Sequence, residues 1–350
     1  MTTTDLHHAR QPDRLETSRP PSPKTRDPWF DNAKLLLVTL VVVGHGWELL
    51  RGPGPTSVLY DFLYLFHVPA FVMVTGYLSR SFRWCRRDLQ RLVTTVAVPY
   101  VVFESALGAF RFLVGGEELE LLFVDPHWPM WYLAALFLWR LATPALRATR
   151  SPLLASVVVC LLGGMLSIEL LDVSRATGLL PFFVIGLLAT PKHLELLRAS
   201  WVKVASVAVI LVGFVAVWSM HAQVDTEWLY WRSSYAELET GMVTGVLIRL
   251  ALLAAATAVA VAFLAVVPRS RRWFTALGSA TLVVYLFHGF FIKALEYTRF
   301  PDWSASHPLP ALVLVSTAAV ALALTLAAPP VARRLNTVVD PAGALRLNPR

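Results

Sequence analysis

The 350-residue chain is 56% hydrophobic and 15% charged, with a mean hydropathy of +0.58, against about 45–50% apolar and about 25% charged in soluble domains. Apolar residues recur from Leu35 to Val331, which excludes both a soluble multidomain enzyme and a soluble body on one anchor. The net charge of +8 therefore reports first how arginines are shared between two membrane faces, and it implies no nucleic-acid partner.

Cys85 and Cys160 lie in different segments without partner spacing, so neither a disulfide framework nor a thiolate metal site is supported, and no metal is expected. In chain order, residues 1–28 carry five prolines among charged and small polar residues, lack a signal-peptide apolar stretch, and read as a disordered tail. Stretches of about 20 apolar residues, the length that a hydrocarbon core demands, then recur. Ten spans are predicted, at about 32–50, 57–79, 90–114, 129–147, 152–171, 177–190, 201–220, 243–267, 273–295 and 309–331. The sixth, short and containing Pro181, suits a tilted or re-entrant helix as well as a full crossing. The expected organisation is an all-α, polytopic domain over 29–335 between a tail at 1–28 and a second tail at 336–350.

The basic residues test this plan, because cytoplasmic connections hold the excess. Of 31 Lys and Arg, 22 fall on one set of alternating connections and tails, four on the other, and five inside spans. The alternation predicts ten crossings of the inner or plasma membrane with both termini cytoplasmic. The longest outer connection, 221–242, is acidic and aromatic and resembles sugar-facing or interfacial surface.

Ionisable groups inside spans are costly and mark functional candidates. His45 stands eleven residues after Lys34, roughly 16 Å along the first helix. His67, about ten residues below the outer end of the second span, reaches a similar depth. Either histidine can also be structural: His45 bonded to a neighbouring helix, His67 satisfying a carbonyl that Pro69 frees. Glu104 in the third span reaches the same half of the membrane and is expected to pair with His45, or else with Arg111 on its own helix. His288 is a third intramembrane histidine, a candidate for substrate contact or for packing.

On the cytoplasmic side five arginines crowd the stretch between Arg80 and Arg91. Such a loop orients the protein and meets anionic lipid. A sharper expectation is that Arg83 and Arg86, sharing a helical face at i, i+3, grip nucleotide phosphate with Lys34 nearby. No Walker loop, Gly-x-Gly-x-x-Gly, His-Glu-x-x-His or Gly-x-Ser-x-Gly motif occurs.

Several segments, in order, resemble the bacterial acyltransferase-3 family of integral-membrane acyltransferases, in particular its fucose O-acetylase-like branch. They are Asp31 to Lys34 leading to Gly44-His45, Phe66 to Phe71 through Thr75-Gly76-Tyr77, Arg83-x-x-Arg86, Pro99-Tyr100, Met130 to Leu133, Pro181 to Gly186, and Tyr285 to Gly289. The resemblance implies transfer of an acyl group, commonly acetyl from cytoplasmic acetyl-CoA, to a hydroxyl of a carbohydrate or lipid-linked glycan. It implies His45 as the catalytic histidine and the arginine pair as donor contacts. Many relatives carry arginine where Lys34 stands, replacing a bidentate fork by a point charge.

The expected geometry holds the nucleotide at the cytoplasmic rim on Arg83, Arg86 and Lys34, with the pantetheine arm threaded inward. His45 then acts as general base or transient acyl carrier, with Glu104 stabilising its imidazolium. Tyr77, Trp131 and His67 are candidate oxyanion or substrate contacts. The alternative class is a proton-coupled secondary transporter or flippase using the intramembrane His and Glu as a relay.

Overall fold

The computed structural model describes residues 27–50, 54–119, 123–166 and 170–339. Among these every regular element is helical. Asp27 caps α1 (Pro28–Glu48) by accepting the Trp29 N–H at 3.0 Å, with Pro28 preset for the first turn. The further main helices are α2 (Pro55–Ser79), α3 (Arg86–Gly115), α4 (Trp131–Ala148), α5 (Pro152–Gly163), α6 (Leu180–Leu188), α7 (Ser200–Met220), α8 (Met242–Val266), α9 (Thr281–Glu296), α10 (Pro308–Ala327) and α11 (Pro329–Val339). A π-turn at Val93–Ala97 inside α3 immediately precedes Pro99, which has no N–H to offer the ladder.

Each of the ten expected spans contains a helix, but only six of these helices are long and apolar enough to cross a membrane. They are α2, α3, α7, α8, α10 and Thr275–Glu296, with a seventh span if the pair Leu170–Gly178 and Leu180–Leu188, bent by 59°, counts as one. That bent pair is the weak sixth span: Pro181 starts a nine-residue helix rather than interrupting a long one. α5 has 12 residues. α7 has mean hydropathy 2.2 yet only 6% of its most apolar stretch is buried in protein. A face so apolar and so exposed requires lipid, and Trp84, Trp201 and Trp273, all exposed near helix ends, suit a membrane interface. The chain is a multi-pass membrane protein.

The expected N-terminal tail lies outside the described residues except Asp27 and Pro28. At the other end the chain turns at Ala328, where Pro329 opens α11, so residues 336–339 of the expected C-terminal tail are helical. The rest of that tail lies outside the described residues.

α1 and α2 form the centre. α2 packs on α1, α6, α7 and α8, and α1 also on α9 and α10. A Cβ on Gly76 would stand 2.0 Å from the Phe183 carbonyl oxygen, and one on Gly186 1.9 Å from that of Met73. Two backbones therefore touch, which only side-chain-free positions permit. Asn32 fixes the base of α1, donating to the carbonyls of Pro268 (2.8 Å) and Ser270 (3.2 Å) and accepting the Thr275 hydroxyl at 2.7 Å.

We call outer the end opposite the basic connections. There the 221–242 connection folds back over the bundle, and its Trp228, Trp231 and Tyr235 are buried instead of forming exposed surface. The cap is anchored from below by Arg249, which donates to the carbonyls of Cys160 (3.0 Å) and Ser233 (2.9 Å) under the Tyr235 ring. Its acidic and aromatic composition suggested sugar-facing or interfacial surface, but these aromatics pack over a buried arginine that the sequence did not reveal.

Candidate active site

His45 reaches the outer part of α1, 17 residues beyond Pro28, or about 25 Å along the axis. It lines a cavity of about 120 Å³ together with Glu48, Tyr64, His67, Trp128, Trp131 and Tyr285. Arg175, Trp231 and Arg232 of the outer end also line it. Gly44 lets α2 approach: its missing Cβ would lie 3.9 Å from His67 Cε1. The equal depth expected for His45 and His67 is thus a feature of the bundle.

The carboxylate beside His45 is Glu48, one turn further on the same helix, with its Oε2 3.6 Å from Nδ1. That distance is too long for a hydrogen bond and becomes an ion pair only with the imidazolium, and the buried Nδ1 has no hydrogen-bond partner. Trp128 packs edge-on against the His45 ring at 4.3 Å, and His288 lies at 5.3 Å on another side.

Glu104 corrects the expectation. It is completely buried, and a single oxygen accepts both the His127 N–H at 2.9 Å and the His127 ring. It therefore pairs with neither His45 nor Arg111, whose guanidinium bonds Glu117 instead. The reason is the 123–130 connection, which turns back into the bundle and brings His127 to a carboxylate that a helix-only reading had to pair with another helix. Tyr285 holds the same connection by donating to the Pro129 carbonyl at 2.5 Å. Glu104 therefore reaches His45 only through the segment that carries His127 and Trp128.

His67 Nδ1 donates to the Leu63 carbonyl at 2.7 Å. This is the ordinary carbonyl four residues back, not the Leu65 carbonyl whose donor Pro69 removes. His288 Nδ1 donates to the Tyr285 carbonyl at 2.6 Å, and its Nε2 is buried without a partner. His288 is fully buried and absent from the cavity wall, and its ring lies against that of His45. Trp131 lines the cavity under the Arg175 guanidinium, 4.5 Å from its ring. Tyr77 does not: ten residues beyond His67, about 15 Å along α2, it stacks on Phe30 at 4.9 Å beneath Arg80.

At the inner end Lys34 pairs with Asp31 at 2.9 Å. Arg83 and Arg86 are exposed but do not share a helical face, because α2 ends at Ser79 and α3 starts only at Arg86, behind an extended Cys85. The Arg83 N–H is held by Asp88 at 3.0 Å, so the pair flanks a helix start instead. A recess lined by Ser79, Phe82, Asp88, Arg91 and Arg140 opens there. Along α2, the wall of the His45 cavity ends at Phe71, and the next turn carries Thr75, bonded to the Tyr132 hydroxyl at 2.6 Å. Tyr132 itself lines the cavity, and Ser79, one turn beyond Thr75, lines the recess.

Glu48, His127 and Trp128 were missed as site residues. The i, i+3 spacing of His45 and Glu48 was available in the sequence; the other two depend on the path of a connection.

A family model described as an acyltransferase domain matches residues 27–328, nearly the whole described bundle. The chain belongs to the acyltransferase-3 family. Two curated relatives share local similarity with it. One nodulation protein NolL, from Sinorhizobium fredii (strain NBRC 101917 / NGR234), is 27% identical over 180 residues, 47% of this chain and 48% of that protein. Another NolL, from Mesorhizobium japonicum (strain LMG 29417 / CECT 9101 / MAFF 303099), is 39% identical over 66 residues, 18% of each chain. The match thus spans about half the length of the longer-matching relative or less. No solved structure matches the chain significantly.

Proposed function

We propose that this acyltransferase-3 protein is an O-acyltransferase that moves an acetyl or other short acyl group from cytoplasmic acyl-CoA to a hydroxyl of a carbohydrate or lipid-linked glycan. The observation that carries the reading is the His45 imidazole, whose unbonded Nδ1 lies beside Glu48 in the wall of an outer-end cavity. A neutral imidazole there can take the acceptor hydroxyl's proton as the oxygen attacks the thioester, and Glu48 then faces the imidazolium that forms. The lining adds an indole donor: the buried Trp231 Nε1 has no partner and can donate to a substrate oxygen.

Outside the cavity, Trp128, Trp131, Arg175 and Arg232 continue into a polar vestibule with Asp125, Asp172 and Glu237. Indole faces flanked by carboxylates and arginines suit a sugar ring and its hydroxyls, so the acceptor enters from this side. The donor's phosphates bind at the opposite end, on Arg83 and Arg86 with Lys34 and Tyr77 on the neighbouring helices. In this reading the bundle crosses the membrane ten times with both termini cytoplasmic, and the pantetheine arm passes between Thr75 and Tyr132 when their bond opens.

Purified protein with radiolabelled acetyl-CoA tests the assignment, using envelope glycans as acceptor mixture and mass spectrometry of the product. His45→Ala is expected to abolish transfer while acetyl-CoA binding stays within about twofold. Loss of donor affinity in parallel would refute the catalytic role. Arg83→Ala with Arg86→Ala is expected to weaken the donor by about 1.5–3 kcal/mol per charge-assisted bond, more steeply at low salt; unchanged affinity would return the loop to membrane orientation alone.

A further inference from the structure

A second constellation lies away from the His45 cavity, where the first turns of α2 meet the end of α7. Ser57 Oγ is 3.0 Å from His221 Nε2, and His221 Nδ1 is 2.7 Å from Asp61 Oδ2. Asp61 is buried, and its other oxygen accepts the Thr226 hydroxyl at 2.7 Å. Both carboxylate oxygens are thereby fixed, and with them the plane of the imidazole.

The bonding order sets the chemistry. A carboxylate only accepts, so the proton between Asp61 and His221 sits on Nδ1 and leaves Nε2 with a lone pair directed at the Ser57 hydroxyl. Ser57 has one hydrogen and two acceptors, the Gly54 carbonyl at 2.7 Å and His221 Nε2. Rotation about one bond therefore hands the proton to the base. Ser57 and Asp61 share a face of α2 at i, i+4, so one helix fixes nucleophile and orienting carboxylate while α7 brings the base. The His221 side chain is 29% exposed, which leaves the assembly open to an incoming carbonyl.

We propose that Ser57, His221 and Asp61 form a serine nucleophile site that is acylated by carboxylic esters at the outer end of the bundle. Ser57 Oγ bonds to the acyl carbon while His221 Nε2 takes its proton. The ester C–O bond then breaks, and the leaving alcohol takes that proton from His221. Water attacks the acyl-serine in the same way, releasing the carboxylic acid and restoring the hydroxyl. The site is independent of acyl transfer at His45.

An alkyl fluorophosphonate applied to the full-length protein in lipid nanodiscs tests it. The expected result is one covalent adduct on the peptide containing Ser57, formed with loss of fluoride. Ser57→Ala, which removes only a hydroxyl, is expected to abolish the adduct with an unchanged melting temperature. His221→Gln is expected to slow labelling about 100-fold or more, and His45→Ala to leave it unaltered. Folded wild-type protein that takes no label at Ser57, or takes it at a rate indifferent to His221→Gln, overturns the proposal. Wild-type protein also supplies a readout without variants: p-nitrophenyl acetate should give a burst of one p-nitrophenol per chain, and its absence counts against an acyl-serine.

Discussion

Glu48 stands one helical turn beyond His45, its carboxylate 3.6 Å from the imidazole Nδ1. Removing the charge while keeping the shape isolates what that contact contributes. Glu48→Gln is expected to lower kcat for acyl transfer about tenfold, since an ion pair formed only with the imidazolium acts chiefly in the transition state. The KM for acyl-CoA should stay unchanged. A rise in that KM with constant kcat would contradict the placement.

Glu104 and His127 form a buried pair, and breaking one partner is worse than removing both. His127→Ala is expected to cost about 3–5 kcal/mol of stability by stranding the Glu104 carboxylate. Adding Glu104→Gln should recover part of that loss, measurable by thermal unfolding in detergent. If the double variant is as unstable as the sum of its parts, the two residues are not coupled.

The glycine contact between α2 and α6 makes a further prediction. Gly186→Ala places a methyl against the Met73 carbonyl and is expected to cost at least about 1–3 kcal/mol. Gly116→Ala meets no neighbouring atom but stands at a φ of +68°, so its smaller penalty is purely conformational. Melting temperatures of the two variants should therefore rank with Gly186→Ala lower.

Glu117, outside the spans, accepts from Arg111 at 2.7 Å and from the Tyr297 hydroxyl, tying the end of α3 to the end of α9. The Arg111 hydrogen bond holds its carboxyl below the ordinary range despite some burial. A carboxyl whose folded value is depressed contributes stability above its unfolded value and loses it as pH falls through the folded one. Glu117→Gln should accordingly melt lower than wild type at neutral pH. That gap should close in acid, below the ordinary carboxyl range; a gap that persists there would have another origin.

Helix positions were legible because a lipid-facing stretch must be continuously apolar, and α7 is the clearest case. Depth was legible too: residue counts placed His45 and His67 together, and Gly44 shows how closely their helices pass. What escaped lay in connections and side-chain partners. Glu104 was read against helices alone, whereas its partner comes from a connection whose path no periodicity records. Arg83 and Arg86 were given a shared face because i, i+3 implies one only inside a helix, and the chain between them is extended at Cys85. Ser57 and His221 are 164 positions apart, and neither belongs to a local motif.

The hydrogen bond between Thr75 and Tyr132 bears on the energetics of the cell as well as on chemistry. An opening wide enough for a pantetheine arm would also let protons and small ions leak down their gradients. In the proposed route the arm fills the passage as it parts those two hydroxyls, so the bundle keeps its electrical insulation throughout.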